Sequence, residues 1–401
     1  MPKPIIYCAV DFGSYTIKGI LAKQEKNLAS IEIISTLTIP SFGIRNGEIA
    51  KPEIVKEKFN NLIKSLEEKS GYKINQIFLN VSGKNLTIED SKNLITISHP
   101  DRRIQKEDID RLLDQAENVN LLSNQLFLDF LNKEFILDDK GGIKNPLNLQ
   151  GQKLELKCKK ILCFSQVMEN LEKITEDIEA EEIFIPSPLA TARAVLDQES
   201  VELGAIAIDF GAGQTTIIFA KNGEIFHFLI IPFGFSEITN DLAIAFRTDI
   251  KTAEKIKQKY ASISTKKIPK KIKEKDKILL PEESLIISKK IIKDLVQKHV
   301  NKILSELQKE LKRVSKNISF PAGIVLTGGG TKLNGILDYT KSFFKLPTRI
   351  GKNTEINANF DVEYLNCLGL LLKGIESLKF EITENSGIIS KIKRMLKSFS
   401  P

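Results

Sequence analysis

Histidine and cysteine are scarce, three and four residues in a chain of 401, and their scatter excludes most of the sites they build. His99, His227 and His299 share no ligand spacing, and Cys8, Cys158, Cys163 and Cys367 contain no Cys-x-x-Cys pair. Neither a zinc cage nor a disulfide framework is expected, only buried reduced thiols. No run of about 18 apolar residues occurs, which argues against a spanning helix. The apolar run ahead of Asp11 is too short for a signal-peptide core and no cleavage site follows it, so the expectation is a protein neither secreted nor membrane-spanning. No Gly-x-x-x-x-Gly-Lys-Ser/Thr is present, which removes the P-loop nucleotide site. The excess of 59 basic over 51 acidic residues, +8, suits anionic partners. Without a concentrated aromatic and basic platform, nucleic acid is not expected among them.

What is present reads as a soluble, folded chain, with 42% hydrophobic and 27% charged residues near the averages for globular proteins. At roughly 100 to 200 residues per domain the length makes two to four domains.

The first informative feature is an internal echo. Asp11-Phe-Gly-Ser-Tyr-Thr-Ile-Lys-Gly-Ile-Leu-Ala-Lys23 lies without gaps on Asp209-Phe-Gly-Ala-Gly-Gln-Thr-Thr-Ile-Ile-Phe-Ala-Lys221, matching at six of thirteen positions. Each copy follows an apolar run, Ile5–Val10 and Ala205–Ile208, that reads as a buried strand. Gly211-Ala-Gly213 does not open a dinucleotide fingerprint, because a helix should follow. Instead Thr215–Lys221, Asn222-Gly223 and Glu224–Phe228 read strand, turn, strand. Two related halves therefore each present a β-hairpin whose turn carries an acid, glycines and hydroxyls.

Such a turn can cradle phosphate oxygens. Gly13, Gly211 and Gly213 admit close approach of backbone N–H groups, Ser14, Thr16, Thr215 and Thr216 supply hydroxyls, Tyr15 and Gln214 complete the turns, and Lys18 adds a point charge. A carboxylate beside a polyphosphate needs an intervening cation. Asp11 and Asp209 are thus read as holding Mg²⁺ through its waters, since this ion dehydrates reluctantly. An ordinary Asp-x-Gly hairpin explains one copy, whereas two copies in equivalent places point to a bound polyphosphate. A third site lies at Ile324–Gly335, where a buried strand runs into Gly328-Gly329-Gly330 and then a helix. Its backbone can admit a flat base and an α-phosphate.

These three blocks, in this order, resemble the phosphate-1, phosphate-2 and adenosine motifs of the actin, sugar-kinase and 70-kDa heat-shock ATPase superfamily. Phe42–Glu48, Ile185–Leu196, Ile231–Thr248 and Tyr364–Leu370 narrow the resemblance to the FtsA family of bacterial cell-division proteins, and it runs from the first strand to the last residues. It implies an α/β, actin-like ATPase fold with two lobes around a nucleotide cleft, an FtsA-type 1C subdomain and a C-terminal amphipathic helix. It also implies ATP with Mg²⁺, and places Gly234 and Lys257, the latter from the Glu254–Lys257 helix, around the nucleoside. That the nucleotide is ATP rather than GTP rests on the resemblance. The expected division is 1–83, 164–200 and 361–380 for 1A, 84–163 for 1C, 201–245 and 321–360 for 2A, 246–320 for 2B, 381–387 for a linker and 388–401 for the terminal helix.

The 1C segment agrees with a small α+β module: a helix with Ile109, Leu112, Leu113 and Ala116 on one face, then Phe135–Ile143 turning back into a strand-like Leu154–Cys158. In the family this module contacts the neighbouring subunit of a filament. The 2B segment is dense in lysine, with Lys266, Lys267, Lys270, Lys271, Lys273, Lys275 and Lys277, before a long helical pattern through Ile287, Ile291, Leu295, Ile303, Leu307 and Leu311. The resemblance makes this the surface that receives the C-terminal peptide of the tubulin-like division protein FtsZ. A solvated lysine-rich loop is the plainer alternative.

One departure concerns catalysis. The superfamily usually offers a Gln or Glu from the helix after the connecting strand to orient the attacking water, but Leu189–Leu196 has neither. At most slow ATP turnover is expected, no residue is assigned a catalytic role, and Gln214 or Thr191 stay open as water-positioning groups. The phosphate-2 loop also has Ala212 and Gln214 where many relatives have glycine and threonine.

The tail carries the remaining signal. Ile388, Ile389, Ile392, Met395, Leu396 and Phe399 fall on one helical face, with Lys391, Lys393, Arg394 and Lys397 on or beside the polar side. This is the pattern of a basic amphipathic helix lying in an anionic membrane surface, each basic residue contributing about 1 kcal/mol there. The sequence reading is an ATP-binding, polymerising actin homologue, peripheral on the cytoplasmic face of the membrane at the division site. It anchors FtsZ filaments there and meets other division proteins. A pilus-assembly ATPase related to PilM and a soluble sugar or acyl kinase are the rivals. The kinase needs a catalytic acid or base beyond the two Mg²⁺ acids, and none is found.

Overall fold

The computed structural model describes residues 4–25, 30–265, 277–280, 285–314, 318–353, 355–356 and 360–384. The lysines from 266 to 275 and the tail from 388 onward lie outside them.

The chain opens with β1 (Ile5–Phe12), β2 (Thr16–Gln24) and β3 (Glu32–Pro40), then the two-residue β4 (Ile44–Arg45) and β5 (Glu48–Ile49), α1 (Pro52–Ser70) and β6 (Gln76–Val81). Next come β7 (Thr87–Thr96), α2 (Lys106–Asn118), β8 (Gln125–Leu137), β9 (Lys140–Ile143), β10 (Lys153–Phe164) and α3 (Ser165–Thr175). β11 (Glu181–Pro186), α4 (Ser187–Val195) and α5 (Gln198–Leu203) precede β12 (Ala205–Phe210), β13 (Thr215–Lys221) and β14 (Glu224–Ile231). Then follow α6 (Ser236–Phe246), α7 (Ile250–Tyr260), β15 (Lys277–Leu280), β16 (Leu285–Ser288) and α8 (Lys289–Val314). β17 (Gly323–Thr327), α9 (Ile336–Phe344), β18 (Thr348–Ile350) and α10 (Leu365–Glu384) complete the described chain.

The two halves share one topology. The first sheet has the order β3-β2-β1-β6-β11 and the second β14-β13-β12-β17-β18. In both, the first three strands are antiparallel neighbours and the last two run parallel to the middle one. The middle strands β1 and β12 are flanked on both sides and almost wholly buried, so their sequences are continuous apolar runs rather than alternating ones. The turn between β13 and β14 has Asn222 and Gly223 at φ 55° and 81°, the positive pair that a two-residue hairpin needs.

Helices α4 and α10 pack on each other, and α4 also touches β12 and β13 of the second sheet. One apolar core therefore joins the first sheet to the near face of the second, through Ala190 and Leu371 on the helices and Ala207 and Ile218 on the second sheet. A second core covers the far face of that sheet with α6, α8 and α9. The third lies within the four-stranded sheet β7-β10-β8-β9, where Leu112, Leu113 and Ala116 of α2 are buried, as the spacing of this helix predicts.

Two expectations change. Ile287 belongs to strand β16, paired with Ile278, and α8 begins only at Lys289. Leu285-Ile286-Ile287 is a short apolar run whose periodicity does not separate strand from helix. The buried face of α8 also runs through Ile292, Val296 and Val300, one position on from the expected Ile291 and Leu295, which are partly buried beside it. At the other end, residues 381–384, read as linker, continue α10. No glycine or proline interrupts the chain between Gly374 and Gly387.

Candidate nucleotide site

Strands β1 and β12 both end at one cavity of about 590 Å³, within the usual range of ligand sites. This is the carboxyl end of the central strands, where open α/β sheets place ligands. Asp11 and Asp209 are the next-to-last residues of the two strands and occupy equivalent registers, Asp11 opposite Lys18 and Asp209 opposite Thr216. The turns that follow repeat each other in detail. A Cβ on Gly13 would stand 2.6 Å from the Thr16 carbonyl oxygen, and a Cβ on Gly211 would stand 2.6 Å from that of Gln214. Both Asp-x-Gly turns therefore require glycine for the same reason, a carbonyl three residues on that folds back against the turn.

The electrostatics of this floor are those of two acids sharing one cation. Burial pushes the Asp11 carboxyl up, opposed by Lys18 and by a hydrogen bond from Asn366. Asp209 is pushed up to about 7 by burial and then by the charge of Asp11, with Lys18 opposing. Lys18, itself buried, partly offsets two negative charges held out of water, an arrangement that a bound cation would relieve.

The third wall is the turn after β17. Gly328 has φ 82°, and a Cβ there would overlap Asp209 Oδ1 and come within 2.8 Å of the Phe210 carbonyl oxygen. A Cβ on Gly330 would meet Phe210 and Phe235. Gly329 differs: the nearest atom to its virtual Cβ is Glu363 Cγ at 4.0 Å, so its face opens on the cavity. Thr331 Oγ1 donates to the Gly328 carbonyl at 2.7 Å and closes the turn.

Most sequence-predicted residues line this cavity, including Ser14, Tyr15, Thr16 and Lys18 from the first hairpin and Gly213 and Gln214 from the second. Lys257 lines it too, but its ammonium is already engaged by Glu254 at 2.7 Å and Thr239 Oγ1 at 2.9 Å, which holds α7 against α6. Three residues stand behind the lining. Thr215 Oγ1 donates to the Phe233 carbonyl at 3.3 Å, Thr216 is buried in the sheet opposite Asp209, and Gly234 packs against the carbonyls of Gly211 and Ala212. They shape the second turn from outside the cavity.

Several lining groups are not assigned by the sequence reading. Gly47 at the β4–β5 tip donates its N–H to Ser14 Oγ at 2.9 Å, and its carbonyl accepts from Ser82 Oγ at 2.7 Å. Asn80 Oδ1 accepts from the Phe12 N–H at 2.7 Å, fixing the end of β1. Asn366, the second residue of α10, donates Nδ2 to Asp11 Oδ1 at 2.9 Å. Gly47 and Asn366 lie in the blocks Phe42–Glu48 and Tyr364–Leu370, which carry the resemblance, but nothing in those blocks alone directs them into the cavity. Thr191, open as a water-positioning group, donates its hydroxyl to Asn366 Oδ1 at 3.0 Å instead.

The family model described as cell division protein FtsA matches residues 206–369, and that of the SHS2 domain inserted in FtsA matches 83–162; together they span more than half the chain. The chain is 28% identical to the cell division protein FtsA of Pseudomonas aeruginosa over 381 residues, covering 92% of this chain and 88% of that protein. To the FtsA of Borreliella burgdorferi it is 28% identical over 398 residues, covering 97% and 95%. Among solved structures, a PilM-PilN type IV pilus biogenesis complex superposes with TM-score 0.64 at 13% identity, covering 92% of this chain and 98% of that one. MreB 5 of Spiroplasma citri bound to AMPPNP superposes with TM-score 0.57 at 13% identity, covering 96% and 100%. At such identity these likenesses show the actin-like fold alone.

Proposed function

The chain belongs to the FtsA family of cell-division proteins, and from that premise we propose that it binds ATP in the cleft, polymerises on the cytoplasmic face of the membrane and anchors FtsZ filaments there. The observation that carries the nucleotide part is the convergence of two equivalent Asp-x-Gly turns and one glycine turn on a single cavity. The donor set fits Mg²⁺: the buried Asp11 carboxylate and the half-buried Asp209 carboxylate, oxygen only, beside hydroxyls and backbone N–H groups. Asp11 and Asp209 would hold the ion, which when bound supplies positive charge between these acids and the phosphates. Ser14 and the backbone of Gly13, Gly211 and Gly213 take phosphate oxygens, and the open face of Gly329 takes the nucleoside.

Turnover is slow in this reading. Thr191 is committed to Asn366, and no free carboxylate or amide comes from α4, the helix after β11. The bound nucleotide acts as an assembly switch, with the inserted 84–163 module as the contact to a neighbouring subunit. The lysine-rich 246–320 segment receives the acidic C-terminal peptide of FtsZ. Among the described residues no helix is long and apolar enough to cross a membrane, and attachment is assigned to the basic amphipathic sequence 388–399. A single tail binds reversibly, and filaments bind more tightly through effective concentration.

The test is recruitment of purified FtsZ to anionic liposomes, with ATP and Mg²⁺, by the full chain and by a version ending at Glu384. Recruitment by the full chain alone is expected. A full chain that pellets with liposomes and leaves FtsZ in solution would overturn the division role in favour of the pilus-type reading. A full chain that does not pellet would overturn membrane attachment.

A further inference from the structure

Asp11 is held by a relay of two side chains from two helices. Thr191 Oγ1 on α4 donates to Asn366 Oδ1 at 3.0 Å, and Asn366 Nδ2 on α10 donates to Asp11 Oδ1 at 2.9 Å. The order matters because a hydroxyl can turn but an amide has a fixed donor and a fixed acceptor. While Thr191 supplies its hydrogen to the amide oxygen, the NH₂ group faces the carboxylate. The reversed amide would set its oxygen against an acid.

The relay also orients the carboxylate. With Oδ1 engaged by the amide, Oδ2 lies beside the Gly13 turn, 4.0 Å from where a Gly13 Cβ would stand, and Asp11 is among the residues that line the cavity. We infer that Asn366 is a positioning residue for magnesium–nucleotide binding, aiming Asp11 Oδ2 at the cation, and that Thr191 sets the sense of the Asn366 amide. The inference rests on the nucleotide reading of the cleft. It also gives Thr191 a role that needs no contact with water or phosphate.

The experiment follows binding of a fluorescent ATP analogue to the full-length protein as Mg²⁺ is titrated, and again in excess EDTA, with thermal melts of each variant. Asn366→Ala is expected to raise the Mg²⁺ concentration for half-maximal binding by about tenfold, the factor that one hydrogen bond to a charged group carries. Any loss of binding in EDTA should be smaller than the loss at limiting Mg²⁺. Thr191→Val should shift the requirement in the same direction by about threefold, through loss of one neutral hydrogen bond, and Thr191→Ser should behave as wild type. Adding Thr191→Val to Asn366→Ala should change nothing further, as for residues acting through one contact. An unchanged Mg²⁺ requirement in Asn366→Ala overturns the inference, as does a loss of binding that is equal with and without Mg²⁺. Should Asn366→Ala fail to fold, the Thr191→Val and Thr191→Ser pair decides. Wild-type protein that binds the analogue with no Mg²⁺ dependence would remove the nucleotide reading itself, and the inference with it.

Discussion

Ser14 Oγ stands against the α-carbon of Gly213 across the cleft, so close that a Cβ on Gly213 would overlap it and come within 2.9 Å of the Asn46 backbone nitrogen. The Asp-x-Gly turns of the two halves thus touch with no room for a methyl group, and Ser14 is at the same time held by the Gly47 N–H. Gly213→Ala should force the turns apart without burying anything unfavourable in either core. The expected outcome is a fall of about tenfold or more in ATP affinity, the loss of about one charge-assisted hydrogen bond, with the melting temperature of the ligand-free protein little changed. Isothermal titration with ATP and Mg²⁺ against a thermal melt checks both halves of this statement.

Gly328 and Gly329 are adjacent and should respond oppositely. Alanine at 328 meets positive φ, the Asp209 carboxylate and the Phe210 carbonyl at once, so Gly328→Ala should destabilise the ligand-free fold by about 1–3 kcal/mol. Alanine at 329 meets only Glu363 Cγ at 4.0 Å, so the fold should tolerate it while the methyl group intrudes where the nucleoside is proposed to lie. Chemical denaturation of the two variants, paired with their nucleotide affinities, separates these effects. Equal destabilisation of both would contradict the assignment of the open face.

The echo of Asp11–Lys23 in Asp209–Lys221 was legible because a local turn leaves a local signature. The same carbonyl folds back on the same glycine in both halves, and only glycine fits. Asn366 and Gly47 were not legible as site residues because their partners are distant in sequence: Asn366 reaches Asp11 across 355 positions and Gly47 reaches Ser14 across 33. No periodicity records such a meeting. Thr215 and Thr216 show the opposite failure, since hydroxyls next to a phosphate-type turn look available until the sheet buries them. Ile287 reads as helical in sequence because a short apolar run serves either element, and only its pairing with Ile278 decides.

Gly369 sets the distance between α10 and α4. A Cβ at this position would overlap the Ala190 carbonyl and sit 2.5 Å from its carbon, and the contact is backbone, which cannot rotate away. Arg193 further ties α4 to Glu355 through two hydrogen bonds of 2.7 and 2.6 Å, and to Glu376 of α10 at 2.5 Å. Gly369→Ala should therefore destabilise by about 2–3 kcal/mol through overpacking. It should also weaken Mg²⁺-dependent nucleotide binding, because α10 carries Asn366. Arg193→Ala, on the rim of the same helix pair, should cost about 1 kcal/mol or less. Denaturant midpoints for the two variants test the ranking.

Glu182 gives the clearest expected pH signature away from the site. It lies on β11 at the edge of the first sheet, opposite Ile77. Burial pushes its carboxyl up to about 7, the charge of Glu172 adds to this, and a hydrogen bond with Thr175 opposes it. Glu172 is itself raised by burial and by Glu169. An unfolded glutamate titrates near about 4.3, so between that value and about 7 the folded protein binds more protons than the unfolded chain. The stability contributed by the neutral carboxyl is then fully present below the unfolded value and is lost as pH rises through the folded one. Wild-type protein should lose melting temperature from about pH 5 to about pH 8 more steeply than Glu182→Gln, which keeps the hydrogen-bonding shape without the charge. Glu182→Gln should also be the more stable of the two at the upper end. Parallel melting curves across that range would show that the Glu182 carboxyl stays ionised and finds its compensation elsewhere at the edge of β11.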